Sequence, residues 1–193
     1  MTVLLMVICS FFVEDYFSVE NFSMILRQAA PLLAVACGQT LIVLMQGTDL
    51  SLGSIVSVVC VLWIWLLNQG IPLWLAVLAV LAASALCGTM NGVIAAKGFL
   101  PVFIVTLGTQ NIFKSFALLL SGNQTIYYRH PIFRFIAKGT FLGLTWSTWV
   151  SFLCFGITLF LLRNTRFGMR IKGLGGNPES LSLSGASITS WSL

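Results

Sequence analysis

Leu73–Ala96, LWLAVLAVLAASALCGTMNGVIAA, runs without a single charged side chain. As an α-helix this stretch is longer than the roughly 20 apolar residues that a bilayer core requires. Working outward, the pattern recurs. Val102–Ser121 follows after Lys97-Gly98, and Leu144–Leu162 follows a polar, aromatic loop from Gly122 to Gly143. On the N-terminal side lie Ser51–Leu67 and Ala29–Met45, with Asn68-Gln69-Gly70-Ile71-Pro72 as a tight turn before Leu73. Met1–Val13 is apolar but short. It lacks a basic leader and a small-residue cleavage pattern, so it reads as an abbreviated first span rather than a signal peptide. The expected fold class is all-α: a polytopic transmembrane helix bundle of about six spans occupying residues 1–193.

Composition agrees. The chain has 193 residues, of which 58% are hydrophobic and 8% charged, with mean hydropathy +0.99. A soluble domain usually carries about 25% charged residues, and a surface this poor in charge does not keep a globule in water. The net charge of +5 sits between the apolar runs, densest at Arg163, Arg166, Arg170 and Lys172. No aromatic stacking platform accompanies that cluster, so it reads as a membrane anchor and not as a nucleic-acid site. Cys9, Cys37, Cys60, Cys87 and Cys154 all lie in apolar runs without metal-ligand spacing and read as small buried hydrophobes. His130 is the only histidine, so a His-based metal site or catalytic triad has little material. No catalytic residue and no metal ligand is expected.

Charge density sets the expected orientation. With both termini cytoplasmic, the inner side holds Lys97 and the cluster Arg163–Lys172, while Arg27, Arg129, Arg134 and Lys138 fall outside. Four of the inner charges are concentrated at one span end, as the positive-inside rule favours. Trp63, Trp65, Trp74, Tyr127, Tyr128, Trp146 and Trp149 all fall near the opposite, outer interface, where amphipathic rings prefer to sit.

Four features carry polar chemistry in this apolar setting. Gly47-Thr48-Asp49-Leu50-Ser51-Leu52-Gly53 places a carboxylate between two spans, where an unpaired Asp costs about 2.5–3.5 kcal/mol at a helix centre. Asp49 reads as a cap on the span beginning at Ser51, and the same turn can shape a permeation surface. Gly88 and Gly92 lie four apart, a spacing that lets helices approach, and Asn91 between them can hydrogen-bond across such a contact. Lys114 lies inside the fifth span, where it can snorkel outward or pair internally; a substrate contact is the less favoured reading. In Gly173–Gly185, Asn177 suits an N-cap, Pro178 the first helical position, Glu179 the positive helix end and Gly185 a left-handed stop. A two-turn helix in a cytoplasmic loop is expected over Asn177–Gly185, either a capped surface turn or a docking knob. Gly175-Gly176 is no nucleotide loop, since no Lys-Ser/Thr follows.

The Gly47–Gly53 stretch resembles the G-G-I-D-L-S-V-G motif of the ribose/galactose/xylose-type permeases of ATP-binding-cassette importers. Asn91–Gly98, continuing through Pro101-Val102-Phe103-Ile104-Val105-Thr106-Leu107-Gly108-Thr109, is similar to their N-G…P-x-F-I-x-T-L-G region. Asn164–Gly168, with Gly175–Glu179 and Leu183–Gly185, resembles their cytoplasmic loop. The motifs keep their order over nearly the whole chain. Thr48 stands where Ile is usual, and Lys114 where Arg is common. The resemblance implies a permease domain working as a dimer, powered by cytoplasmic ATPase subunits that consume ATP and supplied by a periplasmic sugar-binding protein. The chain itself would bind no cofactor. Residues 173–191 would be a cytoplasmic coupling loop, with Asn177, Pro178, Glu179, Leu181, Leu183 and Gly185 meeting the ATPase. Asp49, Ser51, Asn91 and Lys114 are the candidates for the substrate pathway or its structural turn. Family members continue for several more spans, so the sequence is expected to be the N-terminal part of such a permease.

The leading reading is therefore a subunit of the bacterial inner membrane, embedded in lipid, for a monosaccharide-like sugar. The same machinery can take another small polar solute: a nucleoside, an autoinducer or a branched-chain amino acid. A truncated remnant that inserts without transporting is a further reading. An intramembrane enzyme is excluded, because Lys114 has no His, Asp or Glu partner at helical spacing.

Overall fold

The computed structural model describes residues 1–12, 15–129, 133, 135 and 139–176. Its elements run α1 (Thr2–Phe12), α2 (Val19–Leu44), α3 (Leu52–Asn68), α4 (Leu73–Gly98), α5 (Val102–Leu120), β1 (Thr140–Phe141), β2 (Leu144–Thr145), α6 (Trp146–Asn164) and α7 (Arg166–Gly176). The protein is an all-α membrane bundle. Helices α2, α4, α5 and α6 are each long and apolar enough to cross a bilayer. The third expected span, α3, is a shorter apolar helix of 17 residues, and the first, α1, has 11.

Boundaries follow local chemistry. Pro72 and Pro101 immediately precede α4 and α5, since a fixed φ and a missing N–H suit a helix start. At the end of α4, Phe99 takes a left-handed conformation with φ 52°, and its N–H bonds back to the Ala95 carbonyl. Helix α2 begins at Val19, not Ala29, so Glu20 and Arg27, which precede the expected span, lie in the helix. Ser18 is the reason: its Oγ accepts the N–H of Asn21 at 3.1 Å, the geometry of an N-cap, and Glu20 in the first turn suits the positive helix end.

Two compact units separate, Met1–Cys37 with His130–Phe160, and Gly38–Arg129 with Leu161–Leu193. The first contains an element that the sequence did not announce. Thr140 pairs with Thr145 and Phe141 with Leu144 in an antiparallel hairpin. Its two-residue loop, Leu142 (φ 52°) and Gly143 (φ 78°), matches the twist of the strands only because both residues take positive φ. Phe141 stacks on Trp146 with centroids 5.9 Å apart, and Trp149 Nε1 donates to the Phe141 carbonyl at 3.0 Å. Ser23 Oγ of α2 donates to the Gly143 carbonyl at 3.0 Å.

The second unit is built on α3, which packs against both α5 and α4. Ile55 and Val58 of α3 meet Phe113 and Ala117 of α5, with Val59, Val61 and Cys87 alongside. At Gly88 a methyl group would meet nothing within 4 Å, so this small-residue face of α4 is open among the described residues.

Helix α7 occupies the stretch expected to be basic loop. Thr165 caps it, accepting the N–H of Gly168 at 3.3 Å and donating to the Leu161 carbonyl at 2.5 Å. Its glycines seat it. A side chain at Gly168 would strike the Leu161 carbonyl at the end of α6, and one at Gly175 would strike the Leu44 carbonyl at the end of α2. The expected coupling loop of residues 173–191 therefore starts with the last turn of α7, and residues 177–191 lie outside the described residues.

Candidate functional site

Helix α2 ends in two backbone bonds, Gly47 N–H to the Ile42 carbonyl at 3.0 Å and Gln46 N–H to Val43 at 2.9 Å. This is a Schellman ending, and Gln46 holds the left-handed position (φ 60°) usually given to glycine. A non-glycine residue there carries strain of about 1–2 kcal/mol. Gly47 follows because a side chain would press on Ile42 Cγ2 at 3.0 Å.

The chain then crosses to α3 through a turn held entirely by side chains. Asp49 Oδ1 accepts both the backbone N–H and the hydroxyl of Ser51, each at 2.7 Å. Asp49 thus accepts the first backbone N–H of the expected span, at Ser51, one residue before α3 begins; Ser51 occupies the N-cap position without a side-chain cap bond of its own among the described residues. Ser51 is 0% exposed. Its Oγ also accepts Nδ2 of Asn91 from α4 at 2.7 Å. On the other flank, Thr106 Oγ1 of α5 accepts the Leu50 N–H at 3.2 Å, and it lies 3.3 Å from the Thr48 and Phe103 carbonyls, to either of which it can donate. Thr106 is 0% exposed.

The turn lies short of the end of the long apolar helix α4. At ~1.5 Å per residue α3 spans only about 25 Å, short of a roughly 30 Å hydrocarbon core, whereas α4 spans about 39 Å. Asn91 lies about 10 Å before the end of α4 at Gly98, and Ser51 sits level with it. Irregular backbone at that depth persists only when its polar groups find protein partners or line a cavity. Asp49, Ser51, Asn91 and Thr106 supply those partners. Asn91 Oδ1 is buried without a hydrogen-bond partner among the described residues.

Of the sequence candidates, Asp49, Ser51 and Asn91 come together in one relay. Lys114 does not join it: it lies exposed on α5, two turns beyond Thr106. Asn177, Pro178, Glu179, Leu181, Leu183 and Gly185 lie outside the described residues. Sequence reasoning missed Thr106 as a site residue. Its signal was a hydroxyl five positions after Pro101 in an otherwise apolar helix start. Among the described residues, no three His, Cys, Asp or Glu side chains are grouped to hold a metal ion. The site offers one carboxylate, an amide and hydroxyls, which hold backbone and one another.

Comparison with known proteins is consistent with this picture. The family described as branched-chain amino acid transport system / permease component matches residues 21–193. The chain is 30% identical over 190 residues to the ribose import permease protein RbsC of Haemophilus influenzae, covering 96% of this chain and 59% of that one. It is 32% identical over 175 residues to the autoinducer 2 import system permease protein LsrC of Escherichia coli, covering 91% and 51%. Over 183 residues it is 32% identical to the fructose import permease protein FrcC of Rhizobium meliloti, covering 90% and 51%. The chain thus spans little more than half the length of these relatives. No solved structure matches it.

Proposed function

The chain belongs to the family of branched-chain amino acid transport system permease components, and from that premise we propose that it is a membrane-spanning subunit of an ATP-driven importer for a monosaccharide-like sugar. The observation that carries this reading is the buried turn. Segments around Asp49, Asn91 and Thr106, far apart in sequence, are bonded together between apolar helices. A bilayer protein bears the cost of such a polar centre where solute or ions must pass. Relatives named for ribose and fructose import support a sugar.

In this reading the subunit hydrolyses nothing. ATP is consumed by a cytoplasmic ATPase, solute arrives on an extracytoplasmic binding protein, and two permease copies enclose the path in the bacterial inner membrane. The basic end of α6 and the basic residues of α7 face the cytoplasm, as the positive-inside rule favours. The segment Asn177–Gly185 docks on the ATPase, with Leu181 and Leu183 as the apolar anchors, each worth about 1.5–3 kcal/mol when buried.

A second reading, import of autoinducer 2, is favoured by the 32% identical relative of that name. Reconstitution in proteoliposomes with the ATPase and binding protein separates them. Hydrolysis stimulated by D-ribose or D-fructose is expected. Stimulation by autoinducer 2 alone selects the second reading, and none by any of the three overturns both. Leu181→Asp should weaken ATPase capture while insertion stays normal. Labelling of a cysteine at position 176, which is exposed and has room for a side chain, from outside intact cells by an impermeant reagent would reverse the topology.

A further inference from the structure

We propose that Gln46 is a positioning residue for transport, tying the membrane turn that carries Asp49 and Ser51 to helix α7 so that displacement at the cytoplasmic side reaches the relay. Its side-chain Nε2 donates to the Gly175 carbonyl at 2.6 Å, across 129 residues of sequence. Gln46 is exposed, so core packing does not account for it. Its backbone sits at φ 60°, in the position where glycine would rest without strain. What a glycine could not supply is the hydrogen bond to α7.

The contact is stiff on both sides. Gly175 lies so close to the Leu44 carbonyl that no side chain fits, and at Gly47, next to Gln46, a side chain would press on Ile42. At its other end α7 is seated on α6 through Gly168, with Leu161 and Leu162 beneath it. Helix α7 therefore bears on the ends of two spans at once, about 10 Å apart along its axis. From Gln46 the chain runs directly into Gly47, Thr48 and Asp49, whose carboxylate holds Ser51. A shift of α7 is passed to that turn through Gln46, while Asn91 and Thr106 hold the turn's far side.

This inference rests on the proposed function, in which the segment after Gly176 docks on the ATPase. Satisfying an exposed carbonyl near the end of α7 would be a purely structural role. The two are told apart by the solute imported per ATP hydrolysed, which a stability effect does not move. The assembled importer, with its ATPase and binding protein, is reconstituted with D-ribose, or with D-fructose if only that sugar stimulates it. Gln46→Ala and Gln46→Glu, which cannot donate to the carbonyl, should lower solute per ATP about two- to tenfold, the range that one net hydrogen bond spans. Gln46→Lys, which restores a donor, should recover most of it. Lower yield of all three variants with an unchanged ratio would overturn the proposal and leave a structural cap. So would a Gln46→Ala importer that matches the parent. A parent importer whose hydrolysis ignores both sugars sinks the underlying reading instead, a failure visible before any variant is made.

Discussion

Ser51→Ala removes one oxygen atom and should be the costliest small deletion in the turn. The Ser51 hydroxyl donates to a carboxylate at 2.7 Å and accepts the Asn91 amide at 2.7 Å. Losing a hydrogen bond to a charged group costs about 1.5–3 kcal/mol, and stranding a buried donor about 1–3 kcal/mol. Interhelical hydrogen bonds in membranes average only ~0.6 kcal/mol, which pulls the sum towards the low end, about 2–4 kcal/mol. Asn91→Ala is a larger deletion with a smaller effect, about 1 kcal/mol. It breaks the same interhelical bond, but it also removes the amide oxygen that already lacks a partner. Reversible unfolding of the purified permease in mixed micelles, by titration with a denaturing detergent, measures both. The double variant should cost less than the two single losses added together, because the stranded amide disappears. If Ser51→Ala costs no more than Asn91→Ala, the relay does not hold the turn and the reasoning fails.

Thr106→Val keeps the shape but leaves the Leu50 N–H without its partner, so it should cost about 1–3 kcal/mol in the same assay, with Thr106→Ser near the parent. Asp49→Asn retains an acceptor for both Ser51 bonds and should give near-parental folded yield by fluorescence-detected size exclusion, whereas Asp49→Ala should lower it clearly. Gly168→Ala drives a methyl into the Leu161 carbonyl; limited proteolysis should then cut near α7 several times faster, and an unchanged rate would mean that the seat is loose.

Spans defined by their own composition were legible. Helices α4, α5 and α6 lie within two residues of where the apolar runs end, because Pro72, Pro101 and the charges beyond each run punctuate the chain. The start of α2 was not legible, since Glu20 and Arg27 count against a span while sitting comfortably in its outer turns. Helix α7 was hidden by its glycines: Gly168, Gly173, Gly175 and Gly176 depress helix propensity, yet two of them are what allow it to lie on the ends of α6 and α2. The hairpin was hidden by Leu142, a residue seldom given positive φ. At the site, Asp49, Ser51 and Asn91 stood out as polar atoms in an apolar chain. That they meet, and that Thr106 completes them, depends on helix register and depth, which local sequence does not encode.

The depth of the turn also sets a timetable for biosynthesis. Ser51 leaves the ribosome 40 residues before Asn91, and Leu50 leaves 56 residues before Thr106. At ~5–20 residues per second, Leu50 waits about 3–11 s for the hydroxyl that will accept its N–H. Until then α3, too short to reach across the membrane unaided, has every reason to keep its charged end among the headgroups. The turn can close only when α4 and α5 have emerged beside it, since Asn91 and Thr106 supply its partners. A nascent chain arrested before Thr106 is expected to leave Asp49 more open to water-borne reagents than the finished protein does, where it is half-buried.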